Sequence, residues 1–145
     1  MWVFLRIFIG SIFLVSSLGK LLSPYQNFLY VIQAYQVLPS WAEVAAARIF
    51  PWLELITGVF VFLGFWMPWS VRGACVLFGI FLAVVGQALA RSLPLENCGC
   101  FGEWVHLKPQ MVFFMDGTSL LLTLILLRKA AQVKKFSLDS YFEGA

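Results

Sequence analysis

Four long apolar stretches divide the chain, at about residues 2–22, 46–65, 71–90 and 109–127. Each is close to the ~20 residues that carry a helix across the hydrocarbon core of a bilayer. The first is longer than a secretory h-region and has no small-residue cleavage site after it, so it predicts a retained helix and not a signal peptide. Trp2, Trp52, Trp66, Trp69 and Trp104 fall near the predicted span ends, where amphipathic rings favour the membrane interface. The pattern predicts an all-α membrane protein: a four-transmembrane-helix bundle with a short external interfacial helix. No Gly/Ser-rich or charged linker interrupts it, so one domain over residues 1–145 is expected.

The connection 23–45 is more than a loop. Ser23-Pro24-Tyr25-Gln26 offers an N-cap, a proline at the first helical position and a glutamine in the capping-box place. Phe28, Leu29, Ile32 and Tyr35 then recur at helical spacing, which predicts a short helix lying in the interface. Gln36 to Pro39 reads as a break. Ser40-Trp41-Ala42-Glu43 is a second capping box, opening a helix that Pro51 should kink or restart. No internal repeat or low-complexity segment is visible.

Composition supports the bilayer as solvent. Of the 145 residues 61% are hydrophobic and only 12% charged, against about a quarter in soluble domains. Mean hydropathy is +0.89. The net charge of +3 is small and scattered, which excludes a nucleic-acid surface. Basic residues serve better as topology signals. Arg72, Arg128, Lys129, Lys134 and Lys135 fall on one side; Arg48, Arg91, Lys108 and Lys20 on the other. The positive-inside rule places both termini in the cytoplasm and the connections 23–45 and 91–108 outside.

Charged residues inside the spans cost several kcal/mol if they face lipid, so they are expected to face the interior or a partner. Glu54 and Asp116 lie within the outer half of their spans, with Lys20, Arg48, Gln87 and Arg91 at similar depth; Arg6 lies nearer the cytoplasm. A proton or polar cluster of Glu54, Asp116, Lys20 and Arg48 is expected there. Ion pairs that set helix register are one reading of it; a proton path or the polar end of a substrate or quinone pocket is the other. The repeated glycines suit close helix packing, and the phenylalanines read as lipid-facing or core material.

The chemistry concentrates at Cys98-Gly99-Cys100, in a turn-rich external stretch. Glycine lets the two thiols approach, and a disulfide closing so small a ring is expected to be strained, easily reduced and of little value to stability. An external position is also where disulfides persist. A passive clip is the plainer alternative. A metal site built from Cys98, Cys100, Glu103 and His106 is another, but structural zinc favours wider C-x₂₋₄-C spacing, so no metal is expected. Cys75 lies a span away, roughly 20 Å or more at ~1.5 Å per residue, and reads as a small packed residue.

Taken together, Arg6, Gly10, Phe13, Gly19-Lys20 with Pro24, then Tyr35-Gln36-Val37-Leu38-Pro39, Pro51-Trp52-Leu53-Glu54-Leu55 with Gly58, and Cys98-Gly99-Cys100-Phe101-Gly102 with Asp116 resemble the methylamine-utilisation MauE group of the DoxX-like membrane proteins. The likeness runs from about Arg6 to Leu127, and CGCFG is its most specific part. It implies a four-helix bundle of the bacterial inner membrane. It also implies a role in redox maturation of extracytoplasmic proteins, often beside a thioredoxin-like partner. The leading expectation is a thiol–disulfide oxidoreductase or its membrane subunit, with Cys98 and Cys100 cycling against a thiol-bearing partner and a quinone as candidate electron sink. Lys20 and Arg48 would lower the thiol pKa if close. The alternatives are a non-catalytic membrane scaffold, or a small-solute or proton transporter. The second lacks inverted repeats unless a homo-oligomer supplies the symmetry.

Overall fold

The computed structural model describes residues 1–94, 106–129, 141, 142 and 144. Within them the chain is all-helical: α1 (Trp2–Leu22), α2 (Tyr25–Tyr35), α3 (Ser40–Leu63), α4 (Met67–Ala90) and α5 (Pro109–Arg128). All but α2 are long and apolar enough to cross a membrane. The expected helical membrane fold, with its short extra helix, is therefore what the chain adopts.

Two capping expectations fail. α2 starts one residue later and α3 one residue earlier than the capping boxes predict, so Pro24 and Pro39 are the N-cap residues and neither helix has a side-chain cap. The Pro24 carbonyl accepts from Asn27 N–H at 3.0 Å, and the Pro39 carbonyl from Ala42 and Glu43 at 2.9 and 3.0 Å. Ser23 turns the other way, donating to Gly19 O at 2.9 Å and finishing α1. Ser40 is already helical. The break between α2 and α3 lies where the pattern puts it, with Gln36 left-handed at φ 52°.

The second span is longer than hydropathy indicates, beginning at Ser40, and it passes through Pro51 without restarting. Proline removes one N–H, so the Ala47 carbonyl loses its i+4 donor; Ala47 and Pro51 are both buried against neighbours. The longer α3 also moves Trp52 from a span end to mid-helix, where it stays exposed. The third span begins at Met67 because Pro68 sits in the first turn, where a missing N–H costs nothing.

Gly64 ends α3 with φ 74°, and its N–H donates to Phe60 O at 2.8 Å. A Cβ in that left-handed conformation costs roughly 1–2 kcal/mol. Gly64→Ala is accordingly expected to lower stability by that amount, read as an earlier midpoint in denaturant titration of the detergent-solubilised protein.

Two apolar clusters tie the helices at opposite ends. Ile9, Phe13, Val61, Met67, Val71, Phe78 and Leu126 join the start of α1, the end of α3, the start of α4 and the end of α5. Tyr35, Val85, Ala88 and Val112 join α2 to the end of α4 and the start of α5, with Leu93 and Leu107 packed against them. The spans thus alternate in direction. Leu93 and Leu107 flank the connection that carries Cys98 and Cys100, so α2 and the two described flanks of that connection share one end of the bundle.

Candidate functional site

α1 and α3 run antiparallel in close contact, and two glycines set the distance. A Cβ on Gly10 would stand 2.8 Å from Phe62 Cβ, and one on Gly58 would stand 2.9 Å from Phe13 Cβ. This proximity lets side chains one or two turns further along meet across the interface. Lys20 Nζ donates to Glu54 Oε1 at 2.6 Å and Oε2 at 2.8 Å, and both side chains have no exposed surface. Ser16, one turn before Lys20 and so on the same helix face, accepts from Lys20 Nζ at 3.1 Å and donates to Glu54 Oε2 at 3.3 Å. The three ammonium donors have three acceptors. A buried ion pair tolerates desolvation only when its remaining hydrogen-bonding capacity is met in this manner.

Asp116, two turns into α5, is only 5% exposed and interacts electrostatically with both Lys20 and Glu54. Its Oδ2 is buried with no hydrogen-bond partner among the described residues. Two buried carboxyl groups thus lie within electrostatic reach of one ammonium, Glu54 in direct contact with it and Asp116 without. Lys20 is further enclosed by rings, with Nζ 4.9 Å from the centroids of Phe28 on α2 and Phe81 on α4. Cation–π contacts of this kind strengthen when water is excluded.

Arg48 does not join this group. It is exposed on the part of α3 near α2, with its guanidinium 5.1 Å over the Tyr25 ring. Gln87 and Arg91 pair with each other at the end of α4: with the Gln87 amide oxygen turned towards it, Arg91 donates from Nε at 2.7 Å and Nη1 at 2.9 Å. Arg6 is buried at the other end of α1. Cys75 is a free, half-buried thiol near the start of α4.

Cys98 and Cys100 lie outside the described residues, as does Glu103; His106 is described and exposed. Among the described residues no three His, Cys, Asp or Glu side chains gather as a metal site. The connection 91–108 nevertheless leaves and re-enters at known points, Ala90 and Pro109. Its two ends stand at the same end of the bundle as the Lys20 cluster, because Asp116 is about 10 Å along α5 at ~1.5 Å per residue.

Beside Lys20, between α2, α3 and α4, lies an apolar cavity of about 240 Å³ whose walls include Phe28, Tyr35, Phe50, Phe81 and Val85. The sequence pattern put Phe28 on the apolar face of the short interfacial helix and gave Phe81 no role beyond lipid-facing or core material. The signal available for Phe28 was its place on the apolar face of a short helix that follows Lys20 directly. Phe81 carried none, because its meeting with Lys20 depends on the register between α1 and α4.

The arrangement, a paired lysine with two carboxyl groups in its electrostatic reach, sits within a match that covers nearly all of the chain. Residues 1–129 match the family model for methylamine utilisation protein MauE. The chain belongs to the MauE family. No curated protein and no solved structure matches it. Membership of MauE identifies a membrane protein of a methylamine-utilisation family, in agreement with the four apolar helices.

Proposed function

We propose that this MauE protein is a membrane thiol–disulfide oxidoreductase, or the membrane subunit of one, acting in maturation of extracytoplasmic proteins. Cys98 and Cys100 cycle between dithiol and disulfide against a thioredoxin-like or otherwise thiol-bearing partner. A partner thiolate attacks one sulfur, a mixed disulfide forms, and the second cysteine resolves it. The termini are cytoplasmic and the connection 91–108 extracytoplasmic, as the distribution of Arg72, Arg128 and Lys129 favours.

The observation that carries this reading is the Lys20–Glu54–Asp116 group, buried at the end of the bundle from which the cysteine connection departs. Intramembrane ionisable groups are costly and mark proton or substrate paths. Dithiol oxidation releases two protons, and the carboxyl groups of Glu54 and Asp116 are the acceptors this reading assigns to them. Net flow in either direction also needs an electron acceptor or donor in the membrane.

The test uses single-cysteine variants. Cys98→Ser or Cys100→Ser should trap a mixed disulfide with an extracytoplasmic thiol protein, visible on non-reducing gels and absent from the double variant. The double variant should lose exchange to background yet keep wild-type stability, because closing so short a loop removes little entropy from the unfolded chain. A scaffold whose disulfide only shapes a surface yields no trapped adduct from either single variant, and that result ends the redox reading.

A further inference from the structure

The cavity between α2, α3 and α4 presents only carbon along its walls, which include Phe28 and Tyr35 from α2, Ala46 and Phe50 from α3, and Ile80 and Val84 from α4. Leu38, another wall, and Ile80 are each 39% exposed, so the cavity opens sideways onto the surface of the bundle. Ile80, Val84, Gln87 and Arg91 follow one another at spacings of four, three and four, which sets them on one face of α4. Helical backbone continues to Arg91, at φ −83° and ψ −2°, so that face carries the carbon wall of the cavity up to a cation. At ~1.5 Å per residue Arg91 stands about 10 Å beyond Val84. Arg91 is exposed, and Gln87 holds its guanidinium by accepting from Nε and Nη1. A guanidinium has five N–H donors in a fixed fork, so three remain. Among the described residues no carboxylate pairs with it.

We propose that this site binds one phospholipid, with an acyl chain in the cavity and the phosphate on the Arg91 fork. Carbon walls suit a chain that has no polar atom to satisfy, and a planar fork of N–H donors suits phosphate oxygens. A hydrocarbon chain gains no hydrophobic free energy by leaving the bilayer for a protein slot, so packing and the headgroup must hold it there. Basic groups beside membrane-spanning helices are a recurring means of holding lipid headgroups. Arg91 closes a helix long and apolar enough to span, which sets it at headgroup level. Phe28 and Phe81 line the cavity and also enclose Lys20 Nζ, 4.9 Å from each ring centroid. A chain packed behind those rings keeps water from the buried ion pair. The inference is independent of the thiol chemistry.

The full-length protein is to be extracted from membranes in dodecyl maltoside, washed exhaustively, and its retained phospholipid counted by mass spectrometry. One phospholipid per chain should remain. Arg91→Ala should lower that occupancy roughly fivefold, the size of a single arginine's attraction to lipid phosphate at a membrane surface. Ile80→Trp, at a part-exposed wall that tolerates bulk, should lower it by a comparable factor by filling the slot. Arg48 is the control: it is exposed, but two residues from both Ala46 and Phe50 it lies on the opposite face of α3, so Arg48→Ala should keep its lipid. A diazirine on the acyl chain of phosphatidylglycerol, added to the micellar protein, should label peptides of α2 and α4. The same diazirine on diacylglycerol, which has no phosphate, should label them roughly fivefold less. Wild-type protein that retains no phospholipid, retention that either Arg91→Ala or Ile80→Trp leaves unchanged, or labels confined to α1 and α5 would overturn the site. So would a fatty acid in place of the phospholipid, or a lipid-free dimer with a second copy over the cavity.

Discussion

Replacing Glu54 with leucine is expected to lower the stability of the bundle by about 3 kcal/mol, the lower end of the 3–5 kcal/mol seen when one partner of a buried ion pair is removed. The loss comes from Lys20, left with a buried ammonium and with Ser16 as its remaining hydrogen-bond acceptor among the described residues. The cost stays at the lower end because Asp116 is still within electrostatic reach of the lysine. That reserve makes a second expectation specific. Asp116→Leu alone should cost less than Glu54→Leu, since Asp116 makes no hydrogen bond to Lys20, but the two together should cost more than their sum. Lys20→Met/Glu54→Leu should recover only part of the loss, because Asp116 then keeps a buried carboxyl without the Lys20 cation, its Oδ2 having no donor among the described residues. Adding Asp116→Leu should recover most of the rest. The measurement is reversible unfolding of the micellar protein followed by tryptophan fluorescence, arranged as a mutant cycle. A Glu54→Leu variant within about 0.5 kcal/mol of wild type, the range of ordinary surface changes, would show that the pair holds nothing together.

The group was legible as residues but not as contacts. Lys20, Glu54 and Asp116 announce themselves because ionisable side chains in apolar spans must turn inward. Which of them touch is a matter of register between helices, and Lys20 and Glu54 are 34 positions apart. Arg48 shows the limit. By depth it belonged with the others, but α3 begins at Ser40 and carries Arg48 beyond the level where α1 ends, onto an exposed face beside Tyr25. Hydropathy placed α1 and the start of α5 correctly because apolar content and helix coincide there. It began α3 and α4 late because Ser40-Trp41-Ala42-Glu43 and Met67-Pro68 are helical without being apolar enough to count. The capping motifs misled for a physical reason: Pro24 and Pro39 already stop the preceding chain in an extended conformation, so the serines beside them are free for other bonds. Phe28 and Phe81 acquire meaning only from the lysine between them.

Gly10→Ala is expected to force α1 and α3 apart. The new Cβ would meet Phe62 N at 2.8 Å and Phe62 Cα at 2.9 Å, and neither atom can swing aside as a flexible side chain would. Overpacking of this kind costs about 1–3 kcal/mol. Alanine's better helix propensity returns only about 1 kcal/mol, and backbone contact places the clash in the upper half of its range, so a net loss remains. Gly58→Ala meets Phe13 Cβ at 2.9 Å and Leu14 N at 3.2 Å on the same interface, and should cost a similar amount. The double variant should lose less than the sum, because one separation of the two helices relieves both clashes. Gly79 is the control: nothing lies within 4 Å of an added Cβ, so Gly79→Ala should be neutral or stabilise by up to about 1 kcal/mol. The separation also has a consequence for the site. Lys20 reaches Glu54 across the interface these glycines keep narrow, so Gly10→Ala should weaken the ion pair as well. The coupling between Lys20 and Glu54, measured by mutant cycle in the Gly10→Ala background, should fall by at least half. An undiminished coupling would mean that the lysine reaches its carboxylate whatever the helix spacing.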